Sequence, residues 1–224
     1  MTPLLSLIII AAIIGLLLLL MLVDRGSRGS ELSALADQLK LAYRPYASLS
    51  QRIRDAHFQL LDIGQFRHFR HLLEGQLESD DSRYLNLFDY SLIGAGGAST
   101  QTVILLPCPL PEASAFSICR KRWLQEDVFS ESQHKKLASL TAQQKPLLLR
   151  QWQLHSQNGE RLWALLKPEV CDWLLAHPHL HIEWADGILL LCRPHHVLPP
   201  AQIEDALQHA LQLIKRLQDS ARTV

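Results

Sequence analysis

The sequence has no excess of charge of either sign, because 22 Lys and Arg residues balance 22 Asp and Glu residues. A balanced chain creates no overall electrostatic field that would draw in nucleic acid, so partners have to be argued from local patches. The segment FRHFRH (66–71) is such a patch, since aromatic rings among basic residues can stack on bases. The same pattern also suits a strand or helix edge with buried rings and solvated charges. We therefore predict no nucleic-acid partner.

The sequence also lacks the signatures of common catalytic sites. No G-x-S-x-G, H-E-x-x-H or paired-carboxylate motif is present. There is no C-x-x-C pair or short metal-binding spacing among the four cysteines, which are Cys108, Cys119, Cys171 and Cys192. Isolated cysteines are typical of reduced, buried thiols in a cytosolic compartment, although four would also suit two disulfides outside it. We lean towards a protein without catalytic activity.

A glycine-rich stretch, GAGG (94–97), resembles a phosphate-binding loop at first sight. Such a loop needs a helix directly after the glycines, whose N-terminal amide groups face the phosphate. The residues that follow, ASTQTVILLP, are rich in β-branched side chains and end at Pro107, which favours a strand. We therefore predict a hairpin bend between two strands rather than a nucleotide site.

One feature is abundant, a long apolar run near the start of the chain. Residues 3–23, PLLSLIIIAAIIGLLLLLMLV, are apolar apart from Ser6, and about 20 such residues suffice to cross a bilayer as a helix. The run is too long for a signal peptide and lacks a basic start and a cleavage site. Arg25 and Arg28 follow it, and positive residues stay on the cytoplasmic side. We expect three parts: a transmembrane anchor (1–23), a flexible tether (24–30) and a cytoplasmic domain (31–224).

Beyond the anchor, apolar periodicity and turn residues predict an α+β domain with a mostly antiparallel sheet flanked by helices. Helices are expected at 30–41 with Ser30 as N-cap, at 49–60 after Pro45, from Pro168, and from Pro199. Five short apolar runs are predicted strands: HLLEGQL, YLNLFDYSLI, TQTVILLP, AFSICRKRW and LLLRQWQLH. LHIEWADGILLLCRP is a predicted hairpin around Asp-Gly. Residues 125–145 are polar and predict a surface loop or a poorly packed helix.

Histidines concentrate around this last hairpin, at His177, His179, His181, His195 and His196. Alternation places His179 and His181 on one face of the strand, and the hairpin brings His195 and His196 towards them. These four histidines are candidate ligands for zinc or iron. Polar residues at strand ends also commonly mark the solvent boundary, and in that case we expect no cofactor.

The last helix carries apolar residues at alternating steps of four and three, at Ile203, Leu207, Ala210, Ile214 and Leu217. This spacing is typical of a coiled-coil seam, so a homodimer through residues 201–218 is one interpretation. Ala206, Leu211 and Leu213 widen the apolar stripe, which favours packing on the sheet of the same chain.

Three stretches carry a resemblance to known proteins: LFDY (87–90), LPCPLPE (106–112) and the hairpin IEWADGILLL (182–191). With the N-terminal anchor, they resemble an uncharacterised group of bacterial single-pass membrane proteins, over nearly the whole chain. The resemblance implies the bacterial inner membrane as location, with the C-terminal domain in the cytoplasm. It implies no activity, substrate or site residues.

The sequence leads to two functional hypotheses. The first is an accessory or assembly module without catalysis that holds a partner protein at the membrane, because an anchor raises local concentration near other membrane proteins. The second is a metal- or small-molecule-binding domain, with a hydrolase as one form of it, built around the histidine hairpin. Stoichiometric zinc or iron in the purified protein, lost on replacing His179 and His181, would favour the second.

Overall fold

The computed structural model describes residues 27–46, 48–62, 65–77, 83–94, 97–120, 138–139 and 146–222. The predicted transmembrane anchor (1–23) lies outside these residues, as does most of the polar segment 125–145. Among the helices in the described ranges, none is both long and apolar enough to span a membrane.

Within these ranges, nine strands form one sheet in which every neighbouring pair is antiparallel. The order across the sheet is β1-β2-β3-β4-β9-β8-β5-β7-β6. The strands are β1 (Ala42–Tyr46), β2 (Gln65–Gln76), β3 (Tyr84–Gly94), β4 (Gly97–Pro107), β5 (Phe116–Arg120), β6 (Ala138–Ser139), β7 (Trp152–Ser156), β8 (His181–Ala185) and β9 (Ile188–Cys192).

Helices cover both faces of the sheet, so the core has two parts. The larger part lies on the face that we name the α7 face, and the smaller part lies on the α2–α3 face. The helices of the α7 face are α1 (27–38), α4 (Pro146–Gln151), α5 (Gly159–Leu165), α6 (Pro168–Ala176) and α7 (Ile203–Ala221). Those of the other face are α2 (Gln51–Asp55) and α3 (Gln59–Asp62). The predicted α+β class with an antiparallel sheet and flanking helices is confirmed.

Both predicted hairpins are present. Strands β3 and β4 pair without interruption up to Gly94 opposite Gly97, so a strand rather than a helix follows the glycine-rich stretch. Strands β8 and β9 turn at Asp186 and Gly187, whose φ angles of 48° and 73° fit the two central positions of a type I′ turn. In β8 itself both faces are buried, because helices lie above and below it.

The last helix packs on its own sheet. Its apolar residues, including Leu207, Ala210 and Ile214, are buried in the core of the α7 face. The apolar stripe that suggested a coiled-coil seam is therefore buried against the sheet of the same chain. Homodimerisation through residues 201–218 stays a prediction, and it would have to use the polar side of this helix.

The start of the domain differs from the expectation. Residues 27–30, the second half of the predicted flexible tether, are helical and belong to α1. The helix also ends earlier than residue 41, because Lys40 takes a φ of 54° and the amide of Leu41 bonds back to Ala36. A side chain of this first turn is bound to the sheet, as described below, which fixes the segment.

Two further expectations about local structure are wrong. Pro45 lies in edge strand β1, which was not predicted, at a position where a residue without an N–H group is tolerated. The helix predicted after it is divided into α2 and α3 at His57, whose φ is 52°. The run LLLRQWQLH is not one strand, because its first part is α4 and only its end is β7.

Candidate functional site

A charged side chain of α1 is bound to the middle of the sheet. Arg28 contacts the buried carboxylate of Asp89 through two bonds, with Nε to Oδ2 at 2.6 Å and a terminal nitrogen to Oδ1 at 2.8 Å. The hydroxyl of Thr102 donates to the same carboxylate at 2.8 Å. Arg28 also donates to the carbonyl of Leu198 at 2.9 Å. We name this set of four residues the arginine clamp.

The clamp is well shielded from water, since the Arg28 and Asp89 side chains are 19% and 7% exposed. A two-bond guanidinium–carboxylate pair fixes orientation as well as distance. It joins residues 61 positions apart in the chain. The clamp therefore fixes where the chain enters the domain, directly after the predicted anchor and the first residues of the tether.

A second buried ionisable group lies on the opposite face of the sheet. Glu183 accepts hydrogen bonds from the backbone N–H groups of Gln59 (2.6 Å) and Leu60 (2.9 Å), where α3 begins. Nε2 of His181 lies 2.6 Å from Oε1 of the same carboxylate. The side chains of His181 and Glu183 are 1% and 4% exposed. This pair holds α3 to the sheet and is closed to any substrate.

The four histidines proposed as metal ligands do not converge. His181 faces Glu183 on the α2–α3 face, and Nδ1 of His195 lies 2.7 Å from the hydroxyl of Ser99. His179 lies 3.2 Å from a guanidinium nitrogen of Arg120, and the carbonyl of His196 accepts from the amide of Thr102. In the part of the chain that the structure describes, no three His, Cys, Asp or Glu side chains are grouped to hold a metal. Zinc or iron binding stays a prediction from the sequence pattern alone.

A cavity of about 440 Å³ lies on the α7 face, between the end of α6, the start of α7 and strands β4 and β9. We name it the histidine pocket, because His177, His179 and His209 line it. The rings of His177 and His209 meet edge to face with centroids 4.7 Å apart, and His177 stacks on Trp173 at 4.0 Å. Its volume is within the range of small-molecule sites, about 300–1,000 Å³.

The pocket has two chemically different zones. Buried Ile104 and Leu191 form an apolar floor, together with half-buried Leu180 and Leu198. The exposed rim carries Arg193 with the histidines, and Asp205 and Gln202 complete it. Two members of the arginine clamp, Thr102 and Leu198, also line this pocket. The pocket therefore lies beside the point where the chain enters the domain.

A larger and more open groove of about 960 Å³ lies at the other end of the β8–β9 hairpin. We name it the proline groove. Its walls are the segment 109–115, with Pro109, Leu110 and Pro111, and the hairpin turn with Ala185, Asp186 and Gly187. Three residues of β9, Ile188 to Leu190, separate Gly187 of this groove from Leu191 of the histidine pocket, which corresponds to roughly 13 Å along a strand.

The wall of the proline groove formed by residues 109–115 belongs to no helix or strand, but hydrogen bonds hold it at several points. The indole N–H of Trp184 donates to the carbonyl of Cys108 at 2.8 Å, and the amide of Cys108 bonds to Gly187. Further along, the carbonyl of Ala115 accepts from the amide of Gln157, and Arg161 donates to the carbonyl of Glu112. A cleft with fixed walls loses little conformational entropy when a ligand binds.

The cysteines do not provide an activated nucleophile. None of the four forms a disulfide bond, and all are buried. Burial raises the pKa of the Cys108 thiol to about 12, and it also raises the pKa values of Cys119 and Cys192, with a further increase from the charge of Glu183. Only the thiolate is a strong nucleophile, so these three thiols are inert at neutral pH.

Comparisons with known proteins give a fold relationship. No family model and no curated protein matches the chain. The chain is similar to a solved structure, the mycobacterial trehalose monomycolate transport factor A, TtfA, with a TM-score of 0.61 and 14% identity. The match covers 85% of this chain and 94% of that chain. At this identity the likeness shows a shared fold.

Neither the arginine clamp nor the place of Arg193 and His209 on the rim of the histidine pocket was predicted from the sequence. A signal for the clamp existed, since Asp89 is a charged residue inside the apolar strand sequence LFDYSLI and needs a partner when buried. No local signal pointed to Arg28 as that partner. His209 gave no signal either, because a polar residue on an amphipathic helix is typical of the solvent side.

Proposed function

We propose that this protein is a membrane-anchored accessory or assembly module that holds a partner protein at the bacterial inner membrane, with its folded domain in the cytoplasm and without catalysis of its own. The observation that carries the proposal is the proline groove, an open cleft with fixed walls at the end of the domain away from the chain entry. Its occupant is an apolar, extended segment of the partner protein.

The arginine clamp supports a defined orientation of the domain on the membrane. The predicted anchor ends at Val23, and four residues further along, at Ser27, helix α1 is already described. Four residues span at most about 14 Å. A domain fixed by Arg28 this close to the bilayer presents its clamp end to the membrane and its proline groove to the cytoplasm.

The lining of the groove supports a peptide segment as occupant. Proline, leucine and alanine side chains dominate one wall, and Trp184 lies in the other. The charged residues Asp55, Asp186 and Arg222 lie at its edge. An apolar centre with a polar rim is the usual anatomy of a protein–protein contact.

The fold relationship is consistent with an accessory role, since the similar structure is that of a protein named a transport factor. The alternative of a small-molecule-binding domain is favoured by one specific observation, the histidine pocket.

Site-specific photo-crosslinking tests the groove. A photo-reactive amino acid at Ser114 or Gln157, both in the groove, should crosslink the full-length chain in native membranes to the same partner protein. The matched control is the same amino acid at Gln208, an exposed position on α7 about 15 Å along the helix from Gln218 of the groove. Mass spectrometry identifies the product.

A groove-filling variant makes this test specific. Ala113→Trp places a large ring in the groove and should reduce the crosslink from Gln157 about tenfold or more, because the occupant loses its space. Products that appear equally at Gln208, or that persist in Ala113→Trp, would refute docking in the groove. The partner captured should itself be found in the membrane fraction.

The anchor is tested separately. A fluorescent reporter fused after Val224 should be active, an alkaline phosphatase fusion at the same point should be inactive, and the intact chain should stay in membranes after an alkaline carbonate wash. These results follow if residues 1–23 span the bilayer with the positive flank inside. An active phosphatase fusion, or a mature chain that begins beyond Arg25, would contradict the proposed location.

A further inference from the structure

The histidine pocket combines an apolar interior with an entrance lined by charged and polar side chains. Its floor is formed by aliphatic side chains, with Ile104 and Leu191 each 3% exposed. Its rim carries the guanidinium of Arg193, which forms no hydrogen bond or ion pair with any residue that the structure describes, and the rings of His177, His179 and His209. Asp205 is the acidic group on the rim.

Each zone selects a different part of a ligand. Binding of a hydrocarbon chain to an aliphatic floor is favourable in proportion to the apolar area that it removes from water. An exposed guanidinium with histidines beside it favours an anionic group, and arginine binds carboxylate or phosphate oxygens through two parallel bonds. A single molecule that satisfies both zones carries a hydrocarbon chain attached to an anionic head.

The position of the pocket gives such a molecule a route of entry. Thr102 and Leu198 belong both to the pocket wall and to the arginine clamp, so the pocket lies at the end of the domain where the chain enters. If the chain is anchored as proposed above, this end faces the bilayer. The cytoplasmic leaflet of a membrane is rich in anionic lipids, which basic groups near its surface attract.

From these observations we infer that the histidine pocket binds an anionic single-chain or phospholipid amphiphile taken from the membrane, with its hydrocarbon on the floor formed by Ile104 and Leu191 and its head group on Arg193. This inference rests on the proposed membrane anchoring for the route of entry, and on the pocket alone for the chemistry. The ligand class is an acyl chain with a carboxylate or phosphate head.

Photo-labelling of the full-length chain in detergent micelles tests the inference. The probes are palmitate and phosphatidylglycerol that carry a diazirine on the acyl chain, with the uncharged C16 alcohol as reference. Peptides that contain 176–180, 191–198 or 202–209 should carry the label. The alcohol should label these peptides about fivefold less, which is the scale of one solvent-exposed charge interaction. Which of the two anionic probes labels more strongly tells a fatty acid from a phospholipid.

Two variants and one control test the residues. Arg193→Glu should reduce labelling by palmitate about fivefold or more, and Ala206→Phe should reduce labelling by every probe, because it fills the cavity. Lys215→Glu makes the same charge change at an exposed position on α7 outside the pocket and should leave labelling unchanged. Thermal unfolding of each variant checks that the fold is kept.

Equal labelling by acid and alcohol, equal labelling of Arg193→Glu and Lys215→Glu, or label placed outside these peptides would overturn the inference. This inference and the proposed function can each fail without the other. If labelling is absent while the crosslinks from Ser114 remain, only the amphiphile site is refuted. If the crosslinks are lost while labelling remains, only docking in the proline groove is refuted.

Discussion

Replacing Asp89 by alanine should lower the free energy of unfolding by about 3 kcal/mol, because removal of one partner from a buried ion pair leaves the other uncompensated. Asp89 is bound by both Arg28 and Thr102, and its side chain is 7% exposed. We place the effect at the lower end of the usual range of about 3–5 kcal/mol, because Arg28 is 19% exposed and can turn its charge towards water.

Guanidinium unfolding of the full chain at neutral pH, followed by tryptophan fluorescence, measures this effect. Asp172→Ala is the matched control, since Asp172 is exposed on α6 and forms no ion pair with another described residue. Its effect should stay within about 0.5 kcal/mol. The double replacement Arg28→Met with Asp89→Leu should restore most of the loss, because a pair of apolar residues needs no compensation. If Asp89→Ala destabilises no more than Asp172→Ala does, the clamp does not hold the first helix.

Loss of the clamp should also have a local effect on α1, which a general loss of stability would not reproduce. In Asp89→Ala, amide hydrogen exchange should accelerate more in residues 27–38 than in α7, because Arg28 attaches α1 to the sheet whereas α7 is held by its own buried apolar residues. Uniform acceleration over both helices would show that Asp89 stabilises the whole sheet rather than the entry of the chain.

Replacing Glu183 by alanine should cost more, about 3–5 kcal/mol. The substitution leaves the backbone N–H groups of Gln59 and Leu60 buried without an acceptor and removes the charged partner of His181. Each unsatisfied buried donor costs about 1–3 kcal/mol, and the cavity left by the carboxylate adds to this. The same unfolding measurement applies.

Two substitutions show whether the effect comes from these hydrogen bonds. Glu183→Gln keeps one carbonyl oxygen as an acceptor, so we expect about half of the loss. Glu31→Ala removes an exposed carboxylate from α1 and should change the stability by less than about 0.5 kcal/mol. A loss in Glu183→Gln as large as that in Glu183→Ala would show that the charge, rather than the number of acceptors, holds α3 in place.

The sequence predicted those elements of the fold that local physics determines. Two short apolar runs joined by Asp186 and Gly187 pair as a hairpin, and Pro168 begins a helix because its fixed φ suits the first position. It misjudged elements whose conformation depends on distant partners. Pro45 lies in a strand because β2 pairs with β1, and the helix after it is broken at His57.

The candidate sites were less predictable than the fold. The histidines of the hairpin share a sequence segment, but His181 is turned to Glu183 on one face while His179 lines a pocket on the other. Sequence alternation assigned both to one strand face, whereas β8 begins only at His181, so His179 precedes the strand and does not follow its alternation. His209, from the last helix, completes that pocket from a position 30 residues away.

By itself, the sequence determined the long apolar run at its start, the α+β class, both glycine-containing hairpins and the burial of the last helix, because each depends on side chains that are neighbours in the chain. Only the tertiary structure decided that Arg28 meets Asp89, that Glu183 holds α3, and that three histidines surround one pocket. The pocket, for example, is lined by β4 and β9, strands that are neighbours in the sheet although they lie far apart in the sequence. The order of strands in a sheet is set by the packing of the whole core, which no short stretch of sequence specifies.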